Sequence, residues 1–466
     1  MATFSAGYSS ALGDILSQVN SAFSGKTSGI DVSSVVNELM QVEDQPETQM
    51  QSEQTTINSQ ISALTSISSQ LSTLSSDVNT LNDLDGAFSQ MTTGSSDSTI
   101  VDASAESTAT PGTHTVVVNN LATTSSSYSS YISSGTSLGG AQIVVQYGSN
   151  PNNPVKTDTI NIPSSDTTLQ QAESYINSGG YGVTANVVTD SQGSRLVLVS
   201  NTSGANGNLT VTSPATTFTS APGVDAQLTV DGVPVDSASN TVTGAIPGVT
   251  LSLGAAEPNT SVLISVEPDT TQASTAIQSF VTDYNAVVGS INSQYALDSS
   301  GNEGVLAGDS SLQTLQSELL NMISTSVTGN YPNLQSLGIE MQNDGTLQVD
   351  SSTLSNALSS DYSDVQNFFQ STSGWGQLAN TDMTQLTDPT QGPVAADING
   401  LNQTNDDLTD QISDFQANMT GVQQQLTTQY DNLNSLLIEY PMQMQEAADQ
   451  LASLPGAPST SSSSSA

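Results

Sequence analysis

The 466-residue chain has very few basic side chains and no cysteine. Against 44 Asp and Glu residues stand only Lys26, Lys156 and Arg195, which gives a formal net charge of -41 at pH 7. Nucleic acids and anionic membranes are bound through clusters of Lys and Arg, so both kinds of partner are excluded. Without cysteine the chain has neither a disulfide framework nor a thiolate metal site.

The charge imbalance comes from missing bases rather than from added acids, because charged residues make up only 10% of the chain. At a pH of about 3 most carboxyl groups are protonated, and a base-poor chain then approaches neutrality. Two interpretations stay open. The protein works in an acidic external habitat, where a base-rich protein would repel itself, or it is a generic secreted surface protein at neutral pH.

Long apolar runs are also missing, and hydrophobic residues make up only 35% of the sequence. No stretch reaches the roughly 18 apolar residues that span a bilayer, so no membrane span is predicted. The first residues lack the basic region and the unbroken apolar core of a secretory signal. If the protein leaves the cell, we expect an export route that needs no such signal.

Residues that could carry chemistry are few. His114 is the only histidine and lies in an alternating strand pattern, which favours a strand position over a catalytic or metal role. Asp406 and Asp407 diverge on a helix, and the segment after Asp298 lacks the ligand spacing of a calcium loop. Trp375 is interpreted as a packing residue, with a partner contact as the alternative. We predict no enzyme, no metal and no cofactor.

Apolar residues follow helical spacing near the start of the chain. A short face about three turns long lies within residues 12–23, and a mobile terminus or an export and docking segment both fit it. Asp31 is a good N-cap for a second stripe, which Pro46 interrupts. Beyond Pro46 a longer stripe extends to Leu81 and predicts a long helix with a narrow apolar seam.

The C-terminal stripe keeps one a/d heptad register from residue 398 to residue 440, with Asn405 and Gln429 as polar exceptions. Such a narrow seam favours a coiled coil, whose partner is either the 50–81 helix or a second copy of the chain. Pro441 is predicted to end or kink this helix. The predicted self-association seam comprises Ile57, Ile61, Leu64, Leu71, Leu74, Val78, Leu81, Ile398, Leu401, Leu408, Ile412, Phe415, Met419, Val422, Leu426, Leu433, Leu436 and Tyr440.

Between these ends the sequence changes to short alternating Thr- and Val-rich segments separated by Gly and Pro breakers, which predicts β-sandwich or barrel-like modules. We expect an α+β multidomain fold, with a helical leg built from residues 46–95 and 272–440. Two β-rich head domains occupy residues 96–271, with an inner insert at about 123–222. Residues 1–45 form a mobile export and docking segment, and residues 441–466 form a mobile end with a Ser-rich tail.

Several motifs in this order resemble one family. The segment GIDVSSVVNELMQVEDQP (residues 29–46) resembles the N-terminal signature of flagellar filament cap proteins, also called hook-associated protein 2. Residues 109–122 are similar to the family's first head strand, with His114 where an aromatic residue is common. Residues 230–253 resemble the start of its C-terminal domain, and residues 158–211 resemble an insert shared by flagellins and hook-associated proteins.

The resemblance implies a secreted, extracellular protein at the tip of the bacterial flagellar filament, exported through the flagellar type III channel. It implies a ring of about five copies that promotes flagellin polymerisation and prevents flagellin loss. The implied partners are flagellin, the hook-filament junction protein, and an export chaperone at the C-terminal segment. Filament docking is assigned to Val35, Leu39, Met40 and Val42. Exposed heads could also act in adhesion. The alternatives are another axial protein, such as a junction protein or minor flagellin, or a surface adhesin.

The acid interpretation of base depletion predicts that assembly persists at low pH. Purified protein should form the same soluble assemblies at a pH of about 3 as at neutral pH, because the carboxylates lose their mutual repulsion. Size-exclusion chromatography across this pH range measures it. Assemblies that survive at pH 7 and fail at about pH 3–4 would contradict the interpretation.

Overall fold

The chain divides its buried apolar residues among a helical body, a sheet-built head and an insert within that head. The computed structural model describes residues 31–133, 137–297 and 299–452, together with Gly13, Leu16 and Ser17. Helices and strands are both abundant, and the long helices come from the two ends of the chain. The predicted α+β multidomain class, with a helical leg and β-rich heads, is therefore confirmed.

The helices lie mainly at the ends of the chain, and only α3 belongs to the insert. Within the described ranges they are α1 Val32–Glu43, α2 Gln45–Asn82, α3 Leu169–Ser178, α4 Thr270–Tyr295, α5 Ser310–Ser324, α6 Ser351–Ser360, α7 Tyr362–Gln370, α8 Trp375–Leu386 and α9 Pro393–Ala452.

Aspartates begin several of these helices. Asp31, Asp269 and Asp309 each accept a hydrogen bond from a backbone N–H in the first turn of their helix. Asp350 accepts from Ser352 N and Thr353 N, and hydrogen bonds from the side chains and backbone of these two residues lower its pKa to about 2. The unpaired amides and dipole of a helix N-terminus thus stabilise carboxylates in a chain that has almost no bases.

The core of the helical body is built around Trp375, which is fully buried at the start of α8. Its ring stacks on Phe368 with a centroid distance of 5.8 Å and meets Phe280 edge-on at 5.4 Å. Its Nε1 donates a hydrogen bond to the Met322 carbonyl oxygen at 2.9 Å. The residue therefore packs within its own chain, and the alternative of a partner contact is wrong in this structure.

The head consists of two antiparallel sheets that enclose one apolar cluster. Their strands are β1 Met91–Ser95, β2 Val101–Ala105, β3 Gly112–Asn120, β11 Ala226–Val230, β12 Val233–Ser237, β13 Thr241–Ile246, β14 Val249–Leu253 and β15 Val262–Pro268. One sheet has the order β1-β15-β3-β11-β12 and the other β13-β14-β2. The first and last strands pair from Met91 opposite Pro268, so the chain enters and leaves the head side by side.

The insert, like the head, consists of two antiparallel sheets that share one apolar core. Its strands are β4 Thr124–Ser129, β5 Gln142–Tyr147, β6 Lys156–Asn161, β7 Val183–Asp190, β8 Gly193–Ser203, β9 Leu209–Thr212 and β10 Phe218–Ala221. They form sheets of order β10-β4-β8-β7 and β6-β5-β9, and α3 covers the same core. Strands β4 and β10 pair, with Ser126 opposite Ala221, so the insert also hangs from paired strands.

Serines face inward along β4. Ser125, Ser127 and Ser129 are fully buried, and each has a hydrogen-bond partner. Ser125 Oγ also accepts from Leu209 N, and Ser129 Oγ accepts from Leu196 N, both at 3.0 Å. Buried hydroxyls are tolerated when they are hydrogen-bonded, so β4 can present serine where an apolar residue is usual.

The structure bears on two expectations about the ends of the chain, the effect of Pro441 and the mobile N-terminal segment. Pro441 does not end the C-terminal helix, because α9 continues to Ala452. The described side chains after the proline are exposed, so water can bind the Leu437 carbonyl oxygen that a proline cannot serve. Residues 32–43 of the predicted mobile segment form α1, which packs on α9. The other domain bounds stay predictions, and the rest of residues 1–30 and the Ser-rich tail lie outside the described residues.

The position of Trp375 predicts a large effect of truncation on the helical body. Trp375→Ala should lower the free energy of unfolding by about 3–5 kcal/mol, because it opens a cavity and removes the hydrogen bond from Nε1 to the Met322 carbonyl oxygen. Urea unfolding followed by circular dichroism measures the change. The control Leu378→Ala lies on the same helix at a 42% exposed position and should cost about 0.5 kcal/mol or less. Equal losses for both variants would contradict this description of the core.

Candidate assembly site

The two ends of the chain meet where α2 packs against α9. Gln54 Nε2 donates to Thr409 Oγ1 at 2.8 Å, and Gln416 Nε2 donates to Glu47 Oε1 at 2.6 Å. From one contact to the next α2 steps back by 7 residues while α9 advances by 7, so the two helices run antiparallel in a constant register. Neither bridge uses a base, which fits a sequence without basic residues in these helices.

The predicted seam lies partly inside this contact. On α2 its members are buried except Ile61, which is half-buried. On α9 Leu408 is buried, and the other members from Ile398 to Leu426 are half-buried. Ile398 and Leu401 also pack against the core of the helical body. In one chain the seam faces α2 as far as Phe415, and Met419 lies next to Met40 and Asp44, where α1 meets α2. Its role in self-association stays a prediction.

Beyond Leu426 the buried stripe of α9 leaves the heptad register. Leu433, Leu436 and Tyr440 are 40%, 63% and 65% exposed, and Tyr430 and Leu437 instead pack against α1. A straight helix with 3.6 residues per turn drifts away from a 3.5-residue repeat, and the change of partner from α2 to α1 lets it do so. The last part of the predicted seam is therefore not closed within the chain.

The residues assigned to filament docking lie on α1, against α9. Val35 is fully buried and packs with Leu39, Tyr430 and Leu437, while Met40 is nearly buried and Leu39 and Val42 are half-buried. These side chains are thus largely covered in a single chain, and docking through them stays a prediction. Sequence reasoning missed Tyr430 and Leu437, because both lie outside the a/d register of the predicted seam.

The far end of α9 carries an exposed apolar surface. Leu436, Ile438, Tyr440, Met442 and Met444 are each at least 42% exposed. They surround the helix rather than forming one stripe, and Leu437 among them packs against α1. Apolar surface of this kind commonly marks an interaction site. We call residues 433–444 the free end of α9.

His114 pairs with Asp231 in the head. His114 Nδ1 lies 2.8 Å from Asp231 Oδ2, and Thr115 N donates to Asp231 Oδ1 at 2.8 Å. The hydrogen bond from His114 holds the pKa of Asp231 below its usual value. Asp231 has a positive φ of 51° and, with Gly232, forms the turn between β11 and β12. The pair holds a tight turn in place, which is a structural role.

Across the described ranges, no group of three or more histidine and carboxylate side chains is arranged to hold a metal ion. No helix among the described residues is both long and apolar enough to cross a bilayer. Asp298, in the weak calcium-loop segment, lies outside the described residues. The helical surfaces at the chain ends are therefore the strongest candidate for function.

Sequence comparison finds one family at both ends of the chain. The profile of the flagellar hook-associated protein 2 N-terminus matches residues 28–125, and that of its C-terminus matches residues 223–441. The B-type flagellar hook-associated protein 2 of Pseudomonas aeruginosa is 28% identical over 91% of this chain and 96% of its own length. The flagellar hook-associated protein 2 of Escherichia coli K12 is 27% identical over 83% of this chain and 88% of its own.

A solved structure has the same architecture. The chain is similar to the crystal structure of the D1-D2-D3 domains of the flagellar cap protein FliD from Escherichia coli, with 25% identity and a TM-score of 0.58. The alignment covers 73% of this chain and 99% of that one. The similarity therefore extends over nearly all of the solved domains.

The α2–α9 contact predicts that Phe415→Asp weakens the leg. Phe415 is half-buried in the seam, and burying a carboxylate there without a partner should cost about 1–3 kcal/mol. Hydrogen exchange should show faster exchange of the amides of residues 45–57 in α2. The matched control Leu436→Asp makes the same charge at an exposed site on α9 and should leave this exchange unchanged. Unchanged protection in Phe415→Asp would contradict the contact.

Proposed function

Because the chain belongs to the flagellar hook-associated protein 2 family, we infer that it is a structural cap at the distal end of the bacterial flagellar filament. There it promotes flagellin polymerisation and prevents the loss of flagellin. The observation that carries this function is the agreement of both ends of the chain with the family, together with the fold shared with the Escherichia coli cap protein. The site of action is extracellular, at the filament tip.

The architecture suits a capping role. The α2–α9 contact joins the two chain ends into one leg, and the paired strands at Met91 and Pro268 place the head and its insert at the other end of the helical body. The free end of α9 offers apolar side chains beyond the part that the chain itself covers. We propose that the free end contacts flagellin, while heads of neighbouring copies form a lid over the growing tube.

We also propose how the cap is assembled and which proteins it contacts. The cap is a ring of about five copies, closed by heterologous contacts between neighbouring subunits. The leg first sits on the hook-filament junction protein, and an export chaperone covers the C-terminal segment before secretion. The exposed apolar residues of the free end support the last proposal, because an unassembled chain would otherwise present them to water. The protein acts by binding and positioning, not by catalysis.

Deletion of the gene in the source bacterium tests the function. Cells without the protein should secrete unpolymerised flagellin, and purified protein added outside the cells should restore filament growth. Adding protein from outside separates capping from export. Filaments that grow to normal length without the protein would contradict capping.

The double variant Leu436→Asp/Tyr440→Asp tests the free end in the same assay. Both positions are more than half exposed, so the helical body should fold normally. We expect the variant to fail to restore filaments, because charged side chains replace the apolar surface that contacts flagellin. The control Asp407→Asn changes an exposed residue elsewhere on α9 and should restore filaments as the parent does. Full activity of the double variant would exclude the free end as the docking surface.

A further inference from the structure

Carboxyl groups meet where helices of the body pack, and the described helices that form these contacts contain no basic residue. The basic side chains of the chain are Lys26, Lys156, Arg195 and His114, and none of these belongs to α2 or to α4–α9. A carboxylate between two of these helices therefore cannot form an ion pair with a residue of either helix. It must find backbone or hydroxyl donors, or hold a proton itself.

The first such contact joins α2 to α4. Asp77 lies on α2 between the buried residues Leu74 and Val78. Its Oδ2 is buried and accepts no hydrogen bond from the described residues. The helix α4, which packs against α2, carries Asp283, and its carboxyl group is the charged group that acts on Asp77. Two carboxyl groups can form a hydrogen bond only when one of them carries a proton. Burial, followed by the neighbouring carboxyl group of Asp283, raises the pKa of Asp77 to about 7.

A second contact joins α5 to α9. Asp309 caps α5 and accepts from Ser311 N at 2.7 Å, while Ser311 Oγ donates to Asp397 Oδ2 at 3.1 Å. Ser311 therefore binds both carboxyl groups and holds Asp397 next to Asp309. Burial, followed by the neighbouring carboxyl group of Asp309, raises the pKa of Asp397 to about 6. The stronger acid, Asp309, keeps its role as helix cap, and Asp397 holds the proton.

Among the described residues, the groups that act on these aspartates are neutral or acidic. The helix α2 packs against α4, α7, α8 and α9, and Asp283 is the charged group that acts on Asp77. Asp309 is the charged group that acts on Asp397, and Ser311 is its neutral neighbour. Between α5 and α8, burial and the charge of Glu318 raise the pKa of Asp382. No facing base offsets the repulsion when these groups ionise.

We propose that Asp77–Asp283 and Asp309–Asp397 are shared-proton pairs that hold the helical body together, so that the leg is most stable in mildly acidic surroundings and loosens when both members ionise. Each pair joins distant parts of the chain, α2 to α4 and α5 to α9. The pairs therefore act on the same packing that positions α9 along α2. This inference does not depend on the capping function.

The direction of the pH dependence follows from the folded-state pKa values. A carboxyl whose pKa is raised on folding contributes stability that is fully present below the ordinary pKa of about 4 and is lost as the pH rises through the folded value. For Asp397 and Asp77 those folded values are about 6 and about 7. Caps such as Asp350, whose pKa is lowered to about 2, lose their contribution only as the pH falls below about 4. Stability should therefore peak near a pH of about 4–5.

Thermal unfolding of the full chain at a pH of about 5 and about 8 tests the proposal, in about 1 M salt so that repulsion between surface charges is screened. The parent should melt several degrees lower at the higher pH. Asp77→Asn/Asp397→Asn replaces the protonated carboxyls by neutral amides of the same shape, so it should melt like the parent at acid pH and lose less than half as much on going to alkaline pH. The matched control Asp407→Asn should keep the full drop.

Infrared absorption of protonated carboxyl groups gives a second readout, which is measured on the parent chain and therefore does not depend on how well the variant folds. In the parent this band should persist above a pH of about 5 and disappear between about 6 and 8, and the double variant should lack that component. A double variant with the same melting-temperature drop as the parent would overturn the proposal. So would a parent chain whose carboxyl band is already absent at a pH of about 5.

Discussion

The antiparallel packing of α2 along α9 is the contact on which the rest of the structure depends. It joins residues 355 positions apart in the sequence, as in the Gln54–Thr409 hydrogen bond. The head is joined to the helical body through the paired strands at Met91 and Pro268, and the insert is joined to the head through those at Ser126 and Ala221. Each inner unit can therefore fold around its own core without disturbing the leg. This separation suits a filament cap, in which the leg and the head are distinct units.

The scarcity of bases shapes how this contact and its neighbours are stabilised. Among the described residues the ion pairs are Lys156 with Asp158 and His114 with Asp231, and both lie in the head and insert. The helical body instead uses amide and hydroxyl bridges, aspartate caps on helix N-termini, and the carboxyl pairs. Surface ion pairs contribute little to stability in any case, so their loss costs a fold of this size little. The remaining cost is a dependence on pH.

The sequence predicted the large-scale organisation well, because helical and strand periodicities are local signals. The stripe from Ile398 to Leu426 and its alternative partner in residues 50–81 could both be read from heptad spacing. The shift of the buried stripe to Tyr430 could not, since it depends on α1 replacing α2 as the partner. The carboxyl pairs were equally hidden, because Asp77 and Asp283 come together only through the packing of distant helices.

The central claim is that the leg closes within one chain and remains so in the assembled cap. The absence of native cysteine allows a direct measurement with Gln54→Cys/Thr409→Cys and a short bifunctional maleimide, applied to purified protein and to caps on filaments. We predict a cross-linked product of single-chain mass whose mobility is altered, in both samples. Cross-linked dimers or higher ladders in their place would show that α9 pairs with α2 of a neighbouring copy, and would contradict the account.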